Sequence, residues 1–99
     1  MQIVWNPQAK KNILSVKAYY QEFDSEVADK IVRGILSAVD RLEEFPESGR
    51  IVPEIGDPDF REVIWQDWRI IYFLPAHPGE MIEILNVIHT AQQFGSQSD

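Results

Sequence analysis

The chain has 99 residues, 44% of them hydrophobic and 11% aromatic, which is enough apolar surface for one packed core and not for two. It has no cysteine, which excludes disulfides, thiolate metal sites and cysteine nucleophiles, and no apolar run near the roughly 20 residues of a membrane helix. Sixteen acidic residues against nine lysines and arginines give a net charge of -7, which does not advertise the basic surface with which proteins hold nucleic acid through its phosphates and leaves a local basic pocket as the remaining route.

The first residues, MQIVWNP, lack the basic and apolar regions of a signal peptide, which predicts a cytoplasmic protein. Within them, Gln2 to Trp5 is a short apolar stretch that predicts an edge or central strand. Asn6-Pro7 then starts a helix, Asn6 capping free N–H groups and Pro7 fitting the first helical position, where its missing donor costs nothing. Ala9, Ile13, Val16, Tyr20 and Phe23 recur at helical spacing and form one apolar stripe. Asp24-Ser25 breaks this helix and caps the next, with Glu26 in its first turn complementing the helix dipole. Val27, Ile31, Ile35, Ala38, Leu42 and Phe45 form a second stripe, and the short break predicts an antiparallel helical hairpin. Gly34, in the middle of the second helix, is unfavourable there by about 1 kcal/mol relative to Ala, which points to close packing of another element.

Pro46 ends the second helix, and PESGRIVPEIGDPDFRE, residues 46–62, leads from the hairpin toward a strand-rich half. FREVIWQDWRIIYFL reads as two strands joined at Gln66-Asp67. A two-residue loop there pairs Trp65 with Trp68, Ile64 with Arg69, Val63 with Ile70, Glu62 with Ile71 and Arg61 with Tyr72. Alternation then puts Arg61, Val63, Trp65, Trp68, Ile70 and Tyr72 on one face, and Phe60, Glu62, Ile64, Arg69, Ile71 and Phe73 on the other. With large apolar residues on both faces, the sheet is expected to be covered by the helices on one side and partly covered on the other. PAHPGE is a cluster of breakers, MIEILNVI a third strand, and Gly95 to Asp99 a frayed tail. The expected fold is α+β: an N-terminal strand, an antiparallel helical hairpin and a three-strand antiparallel meander, in one domain over residues 1–94.

This order, together with W-N-P-Q-A at Trp5 to Ala9, F-P-E-S-G-R at Phe45 to Arg50, V-P-E at Val52 to Glu54, R-E at Arg61, W-R-I-I-Y at Trp68 to Tyr72 and I-L-N-V-I-H ending in His89, resembles the RelE/ParE superfamily of type II toxin-antitoxin toxins over nearly the whole chain. The Pro-x-x-Gly-Arg followed by Val-Pro-Glu is more similar to the ParE-like, plasmid-stabilisation branch. That resemblance implies a toxin that inhibits DNA gyrase and is neutralised by a cognate antitoxin, with no cofactor, no membrane and no direct DNA binding by the toxin alone. The RelE-like alternative is an endonuclease acting on mRNA at the ribosome; a third reading is a non-toxic remnant kept for binding the antitoxin. Because the chain is itself acidic, the antitoxin interface is expected to rest on apolar anchors with a few local arginine pairs.

RNA cleavage needs a base for the ribose 2'-hydroxyl, a cation for the developing phosphorane and an acid for the leaving oxygen. By resemblance these roles fall on Glu54, Arg69 and His89. Thr90, however, stands where such nucleases often carry a tyrosine, and no lysine follows Lys30. Each residue also has a structural alternative. Glu54 lies in an acidic loop with Glu47, Asp57 and Asp59; Arg69 lies diagonal to Glu62; and His89 ends an apolar strand. Arg50 is expected to brace a helix end through carbonyls or Glu47 and Glu54, while Arg61 beside Tyr72 is the better candidate for a binding surface. Arg50, Arg61, Tyr20, Trp65 and Trp68 are the candidates for target or partner binding. Tyr19 and Tyr20 point to different helix faces, one of them exposed. His77 and His89 lack the spacing of metal ligands, so no metal site is expected.

Overall fold

The computed structural model describes residues 1–77 and 79–92; the expected tail at 95–99 and the domain end at residue 94 lie outside them. The chain runs β1 (Ile3–Trp5), α1 (Pro7–Gln21), α2 (Ser25–Asp40), a 3-10 turn at Arg41–Glu43, β2 (Arg50–Ile51), β3 (Phe60–Trp65), β4 (Trp68–Phe73) and β5 (Ile82–His89). Both helix starts follow their local chemistry. Asn6 Oδ1 accepts from the Ala9 N–H at 2.8 Å, and Asp24 Oδ1 accepts from those of Glu26 and Val27 at 2.9 and 3.4 Å.

The strands form one sheet in the order β1-β5-β4-β3-β2. The meander has the register expected from a two-residue loop, from Trp65 opposite Trp68 back to Phe60 opposite Phe73. Gln66 takes a left-handed backbone at φ 52°, the conformation such a loop requires, and does so without the usual glycine. Two features go beyond the sequence expectation. The first strand lies parallel to β5 at one edge, and Arg50–Ile51, inside the stretch read as a connection, pairs antiparallel with β3 at the other. The shift in register between Ile71 and Tyr72 marks a bulge in β5, where Asn12 Oδ1 of α1 accepts from the Val87 N–H at 3.0 Å.

The helices cover the face that carries Val63, Trp65, Trp68, Ile70 and Tyr72, and these side chains join Ala9, Val16, Ile35, Val39, Leu42, Ile82, Ile84 and Val87 in the core. Close packing at Gly34 is real: the Trp65 indole lies where a Cβ on that glycine would go. The ends of both apolar stripes are corrected. Helix α1 stops at Gln21, so Phe23 sits in the turn and is 73% exposed. In α2 the buried row runs through Ala28, Ile35, Val39 and, beyond the helix, Leu42, leaving Val27 and Phe45 exposed.

The second face is partly covered, by the chain itself. Val52 and Ile71 are fully buried outside the main core, and the segment between β2 and β3 is held back to the sheet at both ends, by Val52 N–H to Phe60 O at 3.0 Å and Leu74 N–H to Asp59 O at 2.7 Å. Among the described residues no helix is long and apolar enough to cross a membrane.

Candidate functional site

Strand alternation places Glu62 of β3 and Arg69 of β4 on the face away from the helices, and both are buried, with side chains 0% and 6% exposed. A buried charge is tolerated only when paired and hydrogen-bonded. Glu62 satisfies this with two arginines. Its Oε1 accepts from Arg69 Nε at 2.6 Å, and its Oε2 accepts from Arg50 Nε, also at 2.6 Å. Arg69 then turns its fork outward: Nη1 donates to Glu54 Oε2 at 2.6 Å and to the Gln92 carbonyl at 2.8 Å, and Nη2 donates to Glu54 Oε1 at 2.7 Å. Two arginines and two carboxylates form one neutral network. The hydrogen bond to Glu54 is the main reason that the Arg69 pKa is driven above its ordinary value, with Glu62 adding to it against the opposing effect of burial.

The diagonal pair of Arg69 and Glu62 matches the sequence reading; two other expectations are corrected. Glu54 stays in an exposed loop but is not left to solvent, because Arg69 binds it bidentately. Arg50 does brace the structure, but through Glu62 rather than through Glu47 or Glu54, since β2 pairs it directly opposite Glu62. Reading residues 50–51 as a strand was the signal that would have found this pair.

The two arginines differ in what they hold. Arg61 Nε donates to the Pro58 carbonyl at 2.9 Å and Nη1 to the Gly49 carbonyl at 3.1 Å, so its guanidinium ties down both ends of the connection. Arg50 keeps 59% of its side chain exposed. Gly49 itself is clasped by β4: its N–H donates to the Tyr72 hydroxyl at 3.1 Å, which donates to the Pro46 carbonyl at 2.7 Å. Burial raises the Tyr72 pKa.

The three residues that resemblance assigns to RNA cleavage do not converge. Glu54 and Arg69 are in contact. Arg69, however, is opposite Ile88 across the β4–β5 ladder, while His89 is opposite Trp68 and shares its face of the sheet. The imidazole lies edge-on to Trp68, ring centroids 5.4 Å apart, and its Nδ1 accepts from the Ala91 N–H at 3.1 Å.

Among the aromatic candidates, Trp65 fills the space at Gly34, and Trp68 makes edge contacts with both His89 and Tyr20. Tyr20 therefore belongs to the core margin, and Tyr19, 60% exposed, is the tyrosine that faces outward. It stacks edge-on against Phe23 at 5.4 Å, giving the tip of the hairpin an exposed aromatic pair. Among the described residues no three His, Cys, Asp or Glu are grouped to hold a metal.

Comparison with known proteins agrees with this architecture. The family described as "ParE toxin of type II toxin-antitoxin system, parDE" matches residues 3–94. A protein of Sinorhizobium fredii (strain NBRC 101917 / NGR234) named "Putative toxin Y4kP" is 34% identical over 92 residues, 93% of this chain and 91% of that protein. A solved structure titled "Chromosomal ParDE TA system from P. aeruginosa" shares the fold, with a TM-score of 0.73 and 21% identity over 90% of this chain and 95% of its own. The chain belongs to the ParE toxin family of type II toxin-antitoxin systems.

Proposed function

We propose that this ParE-family toxin arrests growth by binding DNA gyrase, performs no bond-breaking chemistry of its own, and is neutralised by a cognate antitoxin. The observation that carries the binding reading is the state of Arg69. A cation that is to stabilise a phosphorane must have donors free where the charge develops. In the free chain four of the five Arg69 N–H donors meet Glu62, Glu54 and Gln92, so a phosphate would first have to displace Glu54, and even then His89 stands on the other face of the sheet. Gyrase as the target follows the ParE branch that the Pro-x-x-Gly-Arg and Val-Pro-Glu motifs resemble.

An antitoxin partner is supported by the family and by the exposed apolar groups. Tyr19, Phe23 and Val27 cluster at the hairpin tip, and Ile51 and Ile64 lie near the β2 edge of the sheet, a distribution suited to a segment that wraps both layers. With a net charge of -7, the contact is expected to be mainly apolar, so moderate salt should weaken it little.

Supercoiling by purified gyrase tests the target: the chain should inhibit it, and no inhibition at saturating chain would end this reading. One observation favours a second reading, the direct contact of Glu54 with Arg69, a general base beside a cation. If the chain is a ribosome-dependent mRNA endonuclease, a translating extract will show cut transcripts. If it is a non-toxic antitoxin-binding remnant, expression alone will leave growth unchanged.

A further inference from the structure

We propose that Glu54 is an internal stand-in for a carboxylate supplied by a partner protein, and that the outward fork of Arg69 is an acid-binding site which the free chain keeps filled. This rests on the reading of the chain as a binding protein.

The two carboxylates on Arg69 are not equivalent. Glu62 is completely buried and holds Arg69 with one oxygen and Arg50 with the other, so it is fixed. Glu54 is 22% exposed at its side chain and belongs to the run of exposed residues 53–59, which turns through Gly56 at φ +73°. Glu54 is the ligand that can leave. Were it to swing out, Arg50, Arg69 and Glu62 would remain with one net positive charge beneath an open cleft. One carboxylate restores neutrality.

The cleft has room for it, at about 680 Å³, with Ile64 and Pro53 beside Arg50 and Arg69. Ile64 is half exposed. The fork already grips two oxygens of a planar carboxylate at 2.6 and 2.7 Å, the geometry in which guanidinium and carboxylate fit best. Asp57 and Asp59 on the same segment, and the net charge of -7, repel a polyanion such as nucleic acid but weigh little against one carboxylate. The partner that fits is an apolar peptide segment carrying a single Asp or Glu.

Competition sets the selectivity. Glu54 is tethered, so it acts at an effective concentration of millimolar or more. A lone carboxylate cannot displace it efficiently, whereas a segment that also buries Ile64 can. The Arg69 fork would then select partners that present both features.

The test uses the full 15N-labelled chain, following the arginine Nε–Hε resonances by NMR during titration with acetate and, separately, with inorganic phosphate at fixed ionic strength. In Glu54→Gln the apparent Kd for acetate should fall on the order of tenfold relative to the unsubstituted chain, phosphate should bind no tighter than acetate, and Arg69→Lys added to Glu54→Gln should abolish the saturable shift. Equal acetate affinity with and without Glu54→Gln overturns the proposal, as does a saturable shift that survives Arg69→Lys. Tighter binding of phosphate would assign the fork to a phosphate group instead and overturn it too. The backbone amide spectrum establishes folding of each variant. If Glu54→Gln does not fold, Glu54→Asp, one methylene short of the fork, must move the acetate Kd in the same direction. None of these outcomes depends on whether gyrase is inhibited.

Discussion

The indole of Trp65 occupies the space in which a side chain on Gly34 would begin, so α2 approaches β3 as closely as a bare backbone allows. Replacing Gly34 by Ala sets two effects against each other. Alanine favours the helix by about 1 kcal/mol, while forcing a methyl group into a filled core costs about 1–3 kcal/mol. The overlap involves a rigid aromatic ring, which puts the packing cost toward the upper end, and Gly34→Ala should lose up to about 2 kcal/mol in urea unfolding. Adding Trp65→Leu should make the alanine neutral or stabilising. A Gly34→Ala chain as stable as the original would refute this account of the glycine.

Glu62 is the anchor of the ion network, and its two arginines differ in what they risk. Glu62→Gln leaves Arg69, 6% exposed at its side chain, with one carboxylate fewer and should cost about 3–5 kcal/mol. Arg50→Gln removes a partner that is 59% exposed, and solvent screening holds its cost to about 1 kcal/mol or less. Equal losses from the two, in chemical denaturation, would show that Glu62 is not the buried keystone.

That network also shows what the sequence could and could not reveal. The meander register followed from a two-residue loop and the period-2 alternation, and it placed Glu62 and Arg69 together on one face. Both helix caps and the close approach at Gly34 were equally legible, because each is a local signal. The partners of Glu54 and Arg50 were not. They depend on a two-residue strand too short to carry any periodicity and on how an irregular segment folds back over the sheet. Helical spacing put Tyr20 and not Tyr19 on the apolar stripe of α1, and Tyr20 is the one packed against the core. The face of His89 required knowing its partner in β4, and that depends on the register of β5, which the loop after Leu74 left open.

Tyr72 gives a pH dependence with a definite sign. Burial raises its folded pKa above the ordinary value of about 10. As pH rises past that value the unfolded chain releases the phenolic proton first, so unfolding is accompanied by proton loss and stability falls. The contribution is fully present below about pH 10 and is lost as pH climbs through the folded pKa. Tyr72→Phe removes this term and also the hydroxyl's two hydrogen bonds, to Gly49 and Pro46. The variant should be less stable by about 1–2 kcal/mol at neutral pH, and the difference should shrink above pH 10. Parallel stability curves for the two chains up to pH 11.5 would contradict this.

The neighbouring tyrosines should behave oppositely. Tyr20 packs against the core margin and Trp68, so Tyr20→Ala should cost about 3 kcal/mol. Tyr19→Ser and Phe23→Ser, at exposed positions, should change stability by no more than about 0.5 kcal/mol while weakening capture of an antitoxin that wraps the hairpin tip. Calorimetry on the free variants separates the two effects. A large loss of stability in Phe23→Ser would mean that the exposed aromatic pair serves the fold and not a partner.

His89 decides between binding and chemistry. In a nuclease that uses His89 as its acid, His89→Ala should lower cleavage by about 10²–10⁴-fold, the usual contribution of general acid catalysis, and growth arrest should vanish with it. The geometry argues otherwise. The imidazole accepts an N–H from Ala91 and meets Trp68 edge-on, on the face of the sheet opposite the Arg69 fork, and a histidine in that position holds a turn. His89→Ala should therefore cost about 1 kcal/mol of stability through that hydrogen bond and ring contact. Growth arrest, measured as colony formation after induced expression, should be unchanged once expression levels are matched. Abolished arrest in a chain whose amide spectrum shows it folded would return His89 to a chemical role and require the end of β5 to turn it across to Arg69.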